Sequence, residues 1–238
     1  MSTQSASKDK LVATIAKLHE SGAYSDLKIV CGSETYNVHK AIICPQSTFF
    51  KAACRPNAFQ EGQTGVIEIP VSSGRDAAFY KNPIAIEEFD WDLDVETATS
   101  VKLMIHYLYH HDYLEQAESF RTYWSRSTEC LGQGILAQHS RMYAMGGKYG
   151  VPGLKALAAK RYKGMSWKTN LGLTAAIMIA FKGTHDQDTK LRSTVLSRLN
   201  SLREIFKRYP DVQKIISETP EIAHKLYRKA LEREFKSG

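Results

Sequence analysis

Few side chains in this chain could do chemistry, and their spacing argues against most of it. His106, His110, His111 and Asp112 lie close together in MIHYLYHHDYLE. Imidazole and carboxylate are metal ligands. Adjacent His110 and His111, however, point in different directions on a helix, and no second cluster supports them, so no metal is expected. Asp26 and His39 could form a general-base pair. Glu87, Glu88, Asp90, Asp92 and Asp94 make an acidic run without the mid-loop glycine and spacing of a calcium loop. The four cysteines, Cys31, Cys44, Cys54 and Cys130, show neither CxxC nor Cys/His spacing, so free thiols in a reducing compartment are expected. G-x-S-x-G, a Walker loop, G-x-G-x-x-G and H-E-x-x-H do not occur. Neither an enzyme nor a cofactor is expected.

The elements that would position these residues begin with YSDLKIVCGSETYNVHKAIICPQSTFFKAAC, Tyr24 to Cys54. Leu27, Ile29 and Cys31 alternate with Lys28 and Val30, the period of a half-buried strand. Gly32-Ser33-Glu34 predicts a turn. Thr35, Tyr36 and Val38 resume the β pattern, which makes a hairpin. The apolar run from Ala41 to Phe50 turns helical, with Pro45 suited to a first turn. Before the hairpin, Lys8 to Glu20 has helical spacing, with Leu11, Ile15 and Leu18 on one face, and Ser21-Gly22 ends it. Residues 1–7 are small and polar and are expected to be disordered.

Ser25-Asp26-Leu27, a strand, a turn, Val38-His39-Lys40, an apolar triplet, Ser47, Phe50 and a helix closing at Cys54 resemble the opening of a BTB (POZ) domain. The spacing Asp26, His39, Ser47, Phe50 carries that resemblance as its structural signature. The resemblance implies an α+β fold: a small three-stranded sheet with helical hairpins, without catalysis, often dimeric. It makes Asp26 and His39 structural, ordering the strand–helix junction. It implies homodimer contacts at Leu11, Ile15 and Leu18, and a pocket lined by Asp26 and Lys40. In this family a hydrophobic–x–Glu triplet marks chains that engage a cullin scaffold, and Phe59 and Glu61 fit it.

Later stretches extend the pattern. Val66 to Ile69 predicts a strand. The insert at residues 71–93 departs from the family, and its anchors Phe79, Phe89 and Trp91 make it the expected partner loop, since long loops are often functional. Asp94 is placed to cap a helix in which Val101, Met104, Ile105 and Leu108 share a face. MIHYLYHHDYLE resembles BTB chains of filamentous fungi. His139 to Tyr162 resembles the second helix pair of the BTB core. There Gly150-Val151-Pro152-Gly153 separates two helices, and Gly146-Gly147 implies close helix packing or a kink. The BTB domain is thus expected over residues 8–162, with a helical extension at 163–238 of the kind that supports a partner groove. Leu191, Val195, Leu199, Leu202 and Phe206 make one long stripe in it, and Pro210 and Pro220 start two further helices.

The net charge of +7 is concentrated at the end, where Thr189 to Gly238 holds 12 Lys and Arg against 6 Asp and Glu. Spacing of three or four without aromatic interleaving reads as solvated helix faces, so nucleic acid is not expected. No apolar run approaches the ~20 residues that cross a bilayer, and MSTQSASKDK lacks the apolar core of a secretory signal. The expectation is an intracellular adaptor, in cytoplasm, nucleus or both. It would self-associate and recruit an unidentified substrate to a cullin-based ubiquitin ligase. The alternative is a transcriptional regulator that binds a corepressor, its basic C-terminal helices near DNA.

Overall fold

Leu27–Cys31 (β1) pairs antiparallel with Glu34–Val38 (β2), Leu27 opposite Val38 and Cys31 opposite Glu34. The two-residue loop places Gly32 at φ 60°, which glycine adopts at little steric cost. On its other side β1 pairs parallel with Val66–Ile69 (β3), giving the order β2-β1-β3. Leu27, Ile29, Cys31, Val38, Ile67 and Ile69 are all buried, so one sheet face is core, as the alternation requires. The structure is a computed structural model describing residues 3–56, 59–70, 95–113, 128–165, 173–206 and 209–237. The insert with Phe79, Phe89 and Trp91, and the acidic run with Asp94, lie outside the described residues.

A parallel pair needs a crossover connection. Lys40–Ile43 (α2), a 3₁₀ turn at Cys44–Gln46, Thr48–Ala53 (α3) and Gln60–Thr64 (α4) supply it. Ahead of the sheet, α1 spans Thr3–Ser21, so residues 3–7 are helical where their polar composition implies disorder. Extending an existing helix adds one hydrogen bond per residue fixed, which poor helix formers can follow.

Ala98–His110 (α5) is buried through Val101, Met104, Ile105 and Leu108. Its cap is Thr97, whose hydroxyl accepts from the Ser100 N–H at 3.1 Å, rather than Asp94. Thr128–Lys148 (α6) and Pro152–Gly164 (α7) form the expected hairpin, with Pro152 at the first turn. Of the two readings of Gly146-Gly147, close packing is the one found. A Cβ on Gly146 would lie 2.7 Å from the Lys155 main-chain nitrogen.

Leu173–Lys182 (α8), Thr189–Ser201 (α9), Arg203–Phe206 (α10), Pro210–Glu218 (α11) and Pro220–Ser237 (α12) complete the chain. The stripe from Leu191 to Phe206 is two helices, broken at Leu202. Asn200 and Ser201 compete with the backbone there, and the Ser201 hydroxyl bonds back to the Ser197 carbonyl. Tyr162, Leu173, Ile177 and Val195 belong to the same buried cluster as Ile29 and Phe50, so the C-terminal helices share the core of the sheet region. Buried Arg192 braces them. Its guanidinium donates to the carbonyls of Phe181 (2.9 Å) and Thr184 (2.7 Å) and meets Glu221 on α12.

Candidate functional site

Asp26, His39, Ser47 and Phe50 sit on β1's approach, the end of β2 and the start of α3, and each has a structural task. His39 is buried. Its Nε2 lies 2.7 Å from the Ala23 carbonyl, which can only accept, so Nε2 carries the proton. Nδ1 then accepts from the Tyr109 hydroxyl at 2.7 Å, while that oxygen accepts from the His39 main-chain N–H at 2.9 Å. Both ring nitrogens are therefore occupied without Asp26, and no general-base pair forms. Asp26 Oδ1 instead accepts from the Lys40 main-chain N–H at 2.7 Å, capping α2. The Asp26–Lys40 pair thus meets through main chain.

Ser47 caps α3 by accepting from the Phe50 N–H at 3.1 Å and donates to the Tyr149 carbonyl at 2.6 Å. Alongside, the Thr48 N–H donates to the Gly150 carbonyl at 3.1 Å. This seam ties α3 to the turn after α6. Gly150 has φ 60°, and a Cβ there would fall 1.8 Å from Thr48 Oγ1. Phe50 is fully buried and stacks on the Tyr149 ring.

Among the large apolar side chains exposed in the described residues, those of α1 and Phe59 bear on the expected contacts. On α1, Leu11 is 61% exposed and Val12 56%, whereas Ile15 and Leu18 are half-buried. The predicted stripe is thereby divided, its C-terminal half lying on α5 and its N-terminal half in solvent. Phe59 is 56% exposed at the N-terminal boundary of α4, with Glu61 in the first turn. The sequence reads as a loop here, but Gly62 permits a helical turn. A Cβ at that position would meet the Arg55 carbonyl at 2.4 Å.

The imidazoles distribute unexpectedly. His110 and His111 diverge: His111 is exposed and, at φ 54°, closes α5. Asp112 pairs with Arg161 at 2.8 Å. His106 and His110 share one face of α5, with stacked rings 4.0 Å apart. His19 of α1 joins them, its Nδ1 3.2 Å from His110 Nε2 and its ring stacked on Tyr109. Burial pushes His106 down to about 4, helped by the neighbouring His110 and His19. Sequence reasoning missed this group because His19 stands 87 residues before His106, with no local pattern linking the two.

Cys31, Cys44 and Cys54 form no disulfide. Burial first, then a hydrogen bond with Cys54, pushes Cys44 up to about 12, so it is not an activated nucleophile. Among the described residues no helix is long and apolar enough to cross a membrane.

Compared with known families, residues 15–121 match the BTB/POZ domain. That span runs from Ile15 on α1 through the sheet and past the end of α5. No curated protein matches the chain.

Proposed function

Starting from the BTB/POZ domain at residues 15–121, a type of module that binds proteins and is generally not an enzyme, we propose that this protein is a self-associating adaptor. It pairs through α1 and recruits a cullin scaffold through Phe59 and Glu61. The observation that carries self-association is the exposure of Leu11 and Val12 on a helix whose other half is held against α5. Burying such a side chain is worth about 1.5–3 kcal/mol, and a two-fold pairing would bury four.

Support for the cullin contact is the placement of Phe59 and Glu61. An exposed aromatic at the start of a helical turn serves as an anchor, and a carboxylate two residues on fixes register. Gly62, whose N–H donates to the Phe59 carbonyl, leaves that turn room against the Arg55 carbonyl. Losing one aromatic anchor costs ~2 kcal/mol or more, about 30-fold in affinity. The Phe59→Ala, Glu61→Ala protein should therefore lose at least that much binding to a purified cullin; unchanged affinity would refute the contact. The basic C-terminal helices carry spaced ion pairs such as Lys225 with Glu221 and Lys214 with Glu218, which supports solvated faces over a DNA surface. Affinity capture reads the partner class directly. Cullin and ubiquitin-pathway proteins support the adaptor, and chromatin proteins in their place would replace it with the corepressor reading.

A further inference from the structure

We propose that His19, His106 and His110 form a three-imidazole site for a divalent transition-metal cation, zinc(II) foremost, which fastens α1 to α5. His106 and His110 stand four residues apart, so α5 presents both on one face. His19 comes from α1, and the ligand nitrogens of the three all lie within 4.8 Å of one another. Among the described residues no other group of three histidines, cysteines or carboxylates comes together in this way.

Two observations point to a ligand rather than to packing. First, His106 is 95% buried by its 5% residual exposure, and neither ring nitrogen has a hydrogen-bond partner. Buried polar atoms are otherwise almost always satisfied, and an ion is one of the things that satisfies them. Second, the separations suit coordination. Zinc holds imidazole nitrogen at about 2.0–2.1 Å, which sets neighbouring ligands of a tetrahedron about 3.3 Å apart. His19 Nδ1 and His110 Nε2 are 3.2 Å apart. The His106 nitrogen lies within 4.8 Å of the other two, and its ring, stacked on His110, has to turn for all three to face one ion.

The donor set fixes the class of ion. Three neutral nitrogens without thiolate suit zinc, copper(II) or nickel(II) over magnesium or calcium, which prefer oxygen. His19 and His110 are half-buried, so water can reach the site as a fourth ligand. The metal would join the end of α1 to a core helix across 87 residues of sequence. The site stands independently of self-association and of any cullin contact.

The test uses the 238-residue chain without a histidine tag, stripped with chelator and titrated with zinc chloride against a chromophoric chelator near pH 7.5. Wild type should take up one equivalent and gain thermal stability with zinc, because a ligand that binds only the folded state stabilises it. His19→Gln and His110→Gln, both at half-buried positions, should keep the wild-type circular dichroism. Each should lose at least tenfold in zinc affinity together with the thermal gain. Stoichiometric cobalt(II) should give the absorption of a four-coordinate nitrogen site in wild type alone. Failure of wild type to bind an equivalent overturns the proposal. So does wild-type affinity in both variants, which would put the metal on other groups, for example Cys44 and Cys54.

Discussion

Ser47→Ala is the substitution that tests most closely how the halves of the domain are joined. Ser47 is 2% exposed, and its hydroxyl makes two bonds, accepting from the Phe50 N–H and donating to the Tyr149 carbonyl. Loss of a serine cap costs about 1 kcal/mol. Leaving a buried carbonyl without its donor costs roughly 1–3 kcal/mol more. The expected total is about 2–4 kcal/mol. With a urea slope of about 2 kcal/mol/M, the unfolding midpoint by circular dichroism should fall by roughly 1–2 M. Thr48→Ala is the control. Its side chain is exposed, and its main-chain bond to Gly150 survives the change. It should stay within about 0.5 kcal/mol of wild type. Equal midpoints for the two variants, at unchanged slope, would refute the claim that this hydroxyl closes the seam.

Adjacent glycines should respond with opposite sign. Gly147→Ala meets nothing nearer than 3.7 Å and should stabilise α6 by about 0.5–1 kcal/mol, whereas Gly146→Ala drives a Cβ to 2.7 Å from the Lys155 nitrogen and should destabilise. Thermal unfolding of the pair reads both. His139 supplies a pH dependence: it is 1% exposed and bonded to the Tyr113 hydroxyl at 2.8 Å. Burial, with Arg161 adding to it, pushes it down to about 4 from an ordinary 6.5. The unfolded chain therefore binds the proton more readily, and stability is lost as pH falls below 6.5 toward 4. Between pH 7 and 5 this one group should cost about 2 kcal/mol, and His139→Gln should remove that part of the acid sensitivity in urea titrations.

How much of this was legible follows from the range of each signal. The hairpin was readable because alternation and a glycine turn are local, and β1 pairs with β2 as Leu27, Ile29 and Cys31 imply. The core face of α5 was readable from Val101, Met104, Ile105 and Leu108 for the same reason. What the hairpin residues do was not. Asp26 as a cap for Lys40, and Ser47 as a bond to Tyr149 across 102 residues, depend on contacts that no window contains. The turn of α4 was hidden because QEGQT has no apolar stripe and its fit rests on one close approach at Gly62. The histidine group was hidden because its third member belongs to a different helix. Charge density near the end was plain in sequence, but only the spaced pairs on α11 and α12 tell why it is tolerated.

Self-association through α1 is read by sedimentation velocity on the 238-residue chain. A species of twice the 26.8 kDa chain mass is expected at micromolar concentration. Leu11→Glu, Val12→Glu places two charges on the solvent-facing end of α1 and leaves Ile15 packed against the core, so it should return the mass to a single chain with the fold intact. A wild-type protein that sediments as one chain, or a double variant that keeps the doubled mass, would contradict it.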